Sequence, residues 1–499
     1  MKKLYRFSAI ALLVLPLVFT SCSDYLDRDD DDNITEADVF ARYEKVNGLV
    51  SDVYAAAKKA DRPLVFFEHF SNSAITDECE GTNVEGNITN NFNNGAWNPN
   101  SLPGSVGQYW EALYEGIRKA NLIIENVQKY NTPDNPQQDG DLRNRIGEMY
   151  FMRGYFHMLL LRMYGEAPYI DRVINAGDNM DFKKESVHSM VEKIVTDAQT
   201  AYGMVPNKYV KTSENFGRVD KGACLGLISF VRWVAATPLW NGASQYGYNL
   251  RRVFENEYAY DATRWRKAKE AAKAVLDFEV GGTKRYSLYT KHDANDFKDP
   301  ADGNLNDSRV YARLWDMFYD MDAFANEYVF FMTKSKDQAW QGDIYPPSRE
   351  GSSRQQPVQE QVDEYEYIVG DYGYPVYSAE ARKGGYDDTN PYVKGTRDPR
   401  FYRDVIYHGA PYRNNKNESK TINTASGSDK IGATNATTTG YYLRKFQQES
   451  WNKSGNFSIN APAIWRLPEF IYIYAEACNE LGEDIDEAYK LVNTVRERF

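Results

Sequence analysis

The 499-residue chain is poor in the residues that mark a disulfide scaffold or a metal centre. It has four cysteines and five histidines, and the histidines are scattered along the chain. Cys22 belongs to a leader segment, so an odd number of cysteines remains and a complete disulfide framework is not expected. No His-x3-His pair or Cys/His cluster predicts a zinc site. We therefore expect neither a metal nor another cofactor.

The familiar catalytic motifs are also missing. The chain has no G-x-S-x-G elbow, no P-loop and no H-E-x-x-H pair. Its 59 basic and 71 acidic residues give a formal net charge of −12, which argues against binding nucleic acid. These absences do not exclude a glycoside hydrolase, since that reaction needs only two carboxyls placed by the fold. The candidates for that alternative are Asp77, Glu78 and Glu80.

Long apolar runs are absent except near the start of the chain. Three basic residues precede the apolar run 9–19, and Cys22 follows it. The run is shorter than the ~20 residues that a membrane-spanning helix needs, so we predict that residues 1–21 are a secretory signal peptide. The small residues before Cys22 resemble the cleavage box of bacterial lipoproteins, in which the cysteine becomes acylated, although Phe19 departs from the usual aliphatic residue. The alternative is a soluble secreted protein with a free thiol.

Residues 22–34 are rich in aspartate, and this composition predicts a disordered acidic tether behind the lipid. Asp27, Asp29 and Asp31 alternate as in a calcium loop, but the glycine and the terminal glutamate of an EF-hand are missing. A calcium site is therefore not expected here.

The clearest periodicity lies between Ser105 and Tyr164, where apolar residues recur every three or four positions in two successive runs. This spacing predicts two amphipathic helices joined by the polar link 131–140. Similar patterns predict helices over 186–201, 220–236, 261–276 and 468–481. An ordinary helical hairpin in a core would give the same pattern.

From position 288 the periodicity weakens, and Gly, Pro, Asp and Tyr dominate. Short strands are predicted over 327–333, 404–407 and 441–446, within a loop-rich lobe. The Ser/Thr/Asn/Gly tract 414–440 predicts a mobile surface insertion.

The amino-acid sequences of these segments resemble those of the SusD/RagB family. The stretches that show the resemblance follow one another in the family's order. They include QYWEALYEGIRKANLIIENV, RIGEMYFMRGYFHMLLLRMYGEAPYI, KGTRDPRFYRDVIYHG and RLPEFIYIYAEACNELGEDIDEAYKLVNTVRERF. The resemblance implies a mainly α fold: a degenerate tetratricopeptide-like platform with a loop-rich second lobe. We place the helical region at 35–287, and the second lobe with the C-terminal helices at 288–499. Family members usually continue beyond the last helix, so an incomplete C-terminus is also an expectation.

A long interval, residues 61–104, separates the first predicted helix from its partner, and loops of this length in compact domains are usually functional. Asn72, Asp77 and Trp97 lie in it among several asparagines and glycines. A flat ring beside amides and carboxylates suits a sugar, which has an apolar face and a rim of hydroxyls. In relatives this loop lies on the glycan-facing side, so these residues are predicted to bind glycan. Trp97 could equally anchor the loop on the helix pair.

A second candidate group follows the predicted strand EYVFFM. It comprises Trp340, Tyr345 and Arg349, and the family resemblance assigns ligand-contacting aromatics to this segment. Trp340 has polar neighbours, which disfavours simple core packing. Arg349 has the weaker case, because an exposed arginine is usually only a solvated charge.

The resemblance implies a surface-exposed outer-membrane lipoprotein without enzymatic activity. It would capture oligosaccharides and pass them to a SusC-like TonB-dependent transporter. Two other classes stay open: a surface glycosidase, and a tetratricopeptide scaffold that binds only protein. The sequence does not identify the glycan.

The anchor prediction can be tested directly. Cys22→Ala should move the protein from the membrane fraction to the soluble fraction, because the tether has no other apolar anchor and each buried acyl methylene contributes about 0.8 kcal/mol. Detergent fractionation of mutant and wild type in parallel measures this. Equal retention of both proteins would contradict lipid anchoring at Cys22.

Overall fold

The computed structural model describes most of the chain after position 34. The described residues are 35–60, 71–82, 88–98, 100, 104–130, 136–209, 214–243, 254–290, 317–318, 320–332, 342–393, 395–413, 419–446 and 463–498. The predicted signal peptide, the acidic tether and Trp340 lie outside them.

Helices dominate the first half of the described chain and return at its end. They are α1 Glu36–Phe40, α2 Tyr43–Ala60, α3 Ile88–Asn93, α4 Gly104–Tyr130, α5 Pro136–Tyr164, α6 Val187–Met204, α7 Lys221–Ala236, α8 Ala262–Leu276, α9 Met321–Asn326, α10 Gln359–Asp363, α11 Ala379–Lys383, α12 Pro399–Asp404, α13 Leu467–Leu481 and α14 Ile485–Arg496.

The strands are short and pair mainly as two-stranded antiparallel ribbons. They are β1 Ile75–Thr76, β2 Cys79–Gly81, β3 Glu279–Val280, β4 Thr283–Lys284, β5 Tyr328–Phe331, β6 Gln355–Pro357, β7 Tyr367–Val369, β8 Tyr372–Tyr374, β9 Val405–Ile406, β10 Pro411–Arg413, β11 Ser419–Thr421, β12 Tyr442–Leu443 and β13 Ala463–Arg466. β1, β2 and β6 form a three-stranded sheet, and β5 pairs with β13.

The long helices stack in a chain of neighbours. α2 packs on α4, and α4 to α8 then pack each on the next, after which α13 joins the stack against α8 and carries α14. A helix with one apolar stripe can bury it only against another element, so successive pairs build a continuous core. This arrangement confirms the predicted helical-repeat fold with a smaller strand-containing lobe.

Side-chain caps fix where several of these helices begin. Thr35 and Asp38 form a reciprocal capping box at α1. Ser186, Asp220 and Asp261 accept hydrogen bonds from backbone N–H groups in the first turns of α6, α7 and α8. At the other end of α13, Gly482 takes the left-handed conformation that terminates a helix.

The predicted apolar stripes form the core. Leu113, Ile117 and Ala120 of α4 are buried, and Met149 and Phe156 of α5 lie opposite them in the same cluster. Cys224 and Cys478 are buried free cysteines. Cys79, in strand β2, is a buried free cysteine as well.

One charged residue of the α5 stripe is satisfied inside this core. The Arg153 guanidinium donates from Nε and Nη2 to the two carboxylate oxygens of Asp197 on α6, at 2.7 and 2.5 Å. Its Nη1 donates to Asn121 of α4 at 2.9 Å, and Tyr169 donates its hydroxyl to Asp197 at 2.6 Å. Three successive helices therefore meet at one buried ion pair.

The strand-containing lobe packs on the helical platform through the ribbon of β5 and β13. Val329, Phe330 and Trp465 of this ribbon belong to the same core cluster as the helices, and β5 contacts α7. The division of the chain near position 287 stays a prediction, although the core runs across it.

One expectation needs correction. The composition of the tract 414–440 predicts a mobile insertion, but its described part, 419–440, holds buried residues, including Ile422, Asp429 and Thr437. Tyr442 donates a hydrogen bond from its hydroxyl to the Asp429 carbonyl and fixes the tract.

Among the described helices, none has the length and apolarity to cross a membrane.

The buried ion pair predicts a large effect of a small change. Asp197→Asn should destabilise the protein by about 3 kcal/mol or more, because it leaves the buried Arg153 charge uncompensated. The midpoint of urea denaturation measures the loss. As a matched control, Glu115→Gln removes a carboxylate that pairs with Lys119 on the surface, and its midpoint should stay at the wild-type value. Equal shifts in both variants would contradict this account.

Candidate functional site

The structure brings the two sequence-predicted segments together. In the first segment, β1 and β2 form a tight hairpin in which Thr76 pairs with Cys79. β2 then pairs antiparallel with β6, with Cys79 opposite Pro357, so the loop that carries Asp77 lies against the chain that follows Arg349. Residues far apart in sequence thus form one small sheet.

A buried amide fixes the start of the first loop. Gln355 accepts two hydrogen bonds at its side-chain oxygen, from the backbone N–H of Ser71 at 2.9 Å and from the Ser71 hydroxyl at 2.8 Å. Thr82 donates its N–H to the Arg354 carbonyl at 2.7 Å at the other end of the hairpin. These buried bonds hold the loop in one position, since an unpaired polar group there would be costly.

Trp97 has an exposed ring on a folded support. Its ring is 41% exposed and lies 5.2 Å from the Phe92 ring, centroid to centroid, at a tilt of 51°. Phe92 packs in turn on a small cluster with Ala74, Ile75 and Ile88. The indole is thus supported on one side by the loop's own short helix α3 and open to solvent over much of its surface.

The polar candidates of this loop are exposed. Asn72 lies in a turn of 3-10 helix, and Asp77 and Glu78 form the turn between β1 and β2. Glu80 is exposed on β2, where the alternation of a strand points it away from the buried Cys79. Their oxygens are available to solvent or to a hydroxylated ligand.

Two members of the second group are not at the surface, and their predicted ligand contacts are wrong for that reason. Tyr345 has no exposed surface and packs with Ile406, Ala410 and Tyr442. Arg349 is also buried, with its guanidinium 5.8 Å from the centroid of the Tyr345 ring. A ring without exposed area cannot stack on a ligand. Trp340 lies outside the described residues.

A cavity of about 480 Å³ lies beside the three-stranded sheet, and the sequence analysis did not anticipate it. The first loop lines one side, and strands β5, β12 and β13 with the end of α12 line the others. The lining includes Ser73, Glu78, Tyr365, Asp404, Lys445 and Arg466. Its volume is within the usual range of small-molecule sites. The sequence feature that could have indicated this cavity is the charged pair Arg444 and Lys445 within the otherwise apolar run YYLRKF.

Comparison with known families agrees with this architecture. Residues 24–231 match a SusD-like family described as starch-binding and associating with the outer membrane, and residues 314–499 match the SusD family. The chain belongs to the SusD/RagB family. The two matches lie in sequence order and leave residues 1–23 and 232–313 uncovered.

Solved SusD-like structures share the fold. A SusD-like protein from Bacteroides fragilis superposes with a TM-score of 0.70 at 19% identity, covering 95% of this chain and 80% of its own. A SusD-like carbohydrate-binding protein from the same species gives 0.68 at 14% identity, with 92% and 79% covered. A laminarin-binding SusD-like protein gives 0.53 at 16% identity, with 91% and 84% covered. At these identities the likeness concerns the fold.

A sequence relative is SusD-like protein P2 of Formosa agariphila. It is 24% identical over 202 residues, which are 40% of this chain and 38% of the relative. The match therefore spans well under half the length of that protein.

Proposed function

We propose that this SusD/RagB protein is a surface lipoprotein that captures oligosaccharides through the loop carrying Trp97. One matching family model is described as starch-binding, and solved SusD-like structures include a carbohydrate-binding and a laminarin-binding protein. The observation that carries the proposal for this chain is the partly exposed indole on its Phe92 support, in the loop that β6 locks in place.

The chemistry of the loop suits a sugar. A flat indole held on one side by its own protein offers its free surface to the apolar face of a pyranose. Asp77 and Asn72 are exposed in the same loop and can bond ring hydroxyls as acceptors and, for the amide, as a donor. Shape and stacking would set affinity, and the polar groups would set orientation.

Delivery to a SusC-like TonB-dependent transporter is the second part of the proposal. It follows from family membership together with the predicted lipid anchor at Cys22, which would place the protein beside such a barrel in the outer membrane. The helical platform then provides the docking face.

The rival functions have less support. A glycosidase acid needs a carboxyl held in a site that excludes water, whereas Asp77, Glu78 and Glu80 are all exposed. A scaffold that binds only protein does not account for the partly exposed Trp97 indole that Phe92 supports. Thin-layer analysis of glycans incubated with the protein tests the first rival, and calorimetry against a glycan panel tests the second.

The glycan site predicts a strong effect of one truncation. Trp97→Ala should weaken glycan binding about thirtyfold or more, since removing a hot-spot aromatic commonly costs about 2 kcal/mol and about 1.4 kcal/mol corresponds to a decade. Asp77→Ala should cost less, because it removes only an exposed hydroxyl contact. Isothermal calorimetry with a glycan found by the panel measures both.

A matched control separates this loop from exposed aromatics in general. Tyr372, on the β7–β8 hairpin, is 69% exposed, so Tyr372→Ala should leave glycan binding unchanged. All three variants should melt at the wild-type temperature. Unchanged affinity in Trp97→Ala would move the site elsewhere, and early melting would mean that the indole acts as a core residue.

The transporter partner predicts a stable complex. The protein should co-purify in mild detergent with its SusC-like transporter, through an interface of at least ~1,000 Å² in total. Failure of the two purified proteins to associate would count against delivery while leaving glycan capture standing.

A further inference from the structure

The cavity beside the three-stranded sheet carries charged groups that glycan capture at Trp97 does not use. Two buried carboxylates lie near it: Asp404, at the end of α12, lines the cavity, and Glu327, just before β5, pairs with Arg466 of the lining. The question is which of the neighbouring charges are already compensated within the protein.

Asp404 has its partners in place. Its two oxygens accept from the Arg403 guanidinium, with Nη2 to Oδ2 at 2.7 Å, and Tyr365 donates its hydroxyl to Oδ2 at 2.9 Å. Burial alone would raise the pKa of Asp404, but Arg403, Lys445 and these hydrogen bonds outweigh it, so the pKa lies below its usual value. The carboxylate is therefore ionised and occupied.

Glu327 is shared between two cations. Arg466 donates to its Oε1 at 3.0 Å, and Arg498 donates to its Oε2 at 2.7 Å. The backbone N–H of Tyr289 also donates to Oε2 at 2.6 Å. Both guanidinium groups thus bond the same carboxylate.

Lys445 has no such partner. No carboxylate of the described chain lies within 4 Å of its Nζ, and its nearest recorded contact is the Phe446 ring, with the centroid at 5.3 Å. Burial lowers the pKa of the Lys445 ammonium, while Asp404 acts in the opposite direction from a longer distance. Lys445 is half-buried on the cavity wall. A cation partly withdrawn from water is stabilised by a close anion, and the cavity offers room for one.

The backbone beside Lys445 is strained. Phe446 adopts φ = 65°, a left-handed conformation that a bulky residue rarely takes, and its ring lies 4.5 Å from the Phe318 ring within the cavity wall. Such conformations persist where the surroundings enforce them, and they cluster at ligand sites. Here the strained residue places an aromatic ring directly next to the unpaired ammonium.

We propose that this cavity binds an anionic sugar unit, with the Lys445 ammonium pairing with its carboxylate or sulfate and the Phe446 ring contacting its apolar face. The inference rests on the proposed glycan capture and specifies its ligand as an acidic oligosaccharide. Uronic acids and sulfate esters provide the same charge, and the experiment separates them.

Matched pairs of oligosaccharides provide the test. Calorimetry with the purified full chain would compare uronate-containing oligosaccharides with their carboxyl-reduced forms, and sulfated ones with their desulfated forms. The acidic member of a bound pair should bind at least tenfold more tightly, and added sodium chloride should reduce the difference. The pair with the larger difference identifies the carboxylate or the sulfate ester as the natural group.

Variants at position 445 assign the preference to the cavity. Lys445→Met keeps the length of the side chain without its charge and should bring the acidic ligand to within about threefold of its neutralised form, with the neutral ligand bound as before. Lys445→Arg should retain the preference, and it serves as the readout if the methionine variant fails to fold. Lys430→Met removes an exposed lysine outside the cavity and should change nothing.

The outcomes separate this inference from the proposed function. If no glycan of any charge binds the wild type, both fail. If neutral and acidic members bind equally, or if the acidic preference survives in Lys445→Met, the cavity proposal fails while capture through Trp97 stands.

Discussion

The platform depends on the buried pair of Arg153 and Asp197. A guanidinium in the middle of an apolar stripe would be prohibitive without compensation, and here it is compensated by a carboxylate, an amide and a carbonyl from neighbouring segments. Because these partners lie on different helices, the pair fixes how α4, α5 and α6 are rotated against one another. Apolar contacts alone tolerate sliding, whereas a bidentate ion pair accepts only one register.

A second buried ion-pair cluster lies where the strand-containing lobe contacts the helical platform. Glu327 connects the start of β5 with Arg466 at the end of β13 and with Arg498 after α14. The ribbon, the C-terminal helices and one wall of the cavity therefore share a single buried carboxylate. Loops with little regular structure keep a defined shape in this lobe because buried polar groups, such as Gln355 with Ser71, have specific partners.

Ligand contacts and scaffold are separated in this molecule. The helices supply rigidity, and the proposed contacts come from the first loop and from the β12 segment, which the small sheet and the ribbon hold in position. This division allows loop residues to vary without disturbing the core. It also explains why the cavity combines groups from distant parts of the sequence, among them the loop at 71–79, β5, the segment 355–365, α12, β12 and β13.

The sequence by itself determined the helices, because a stripe such as Leu113, Ile117 and Ala120 is a local pattern with a helical period, and caps such as Thr35 and Asp38 lie within one turn. It also located the loop with Trp97 through its length and composition. It misplaced Tyr345 and Arg349, since burial depends on which distant residues cover them, here Ile406 and Tyr442 for the tyrosine. The partner of Arg153 and the unpaired charge of Lys445 were decided only by the tertiary structure, because electrostatic compensation is a property of distance in space and has no counterpart in local sequence.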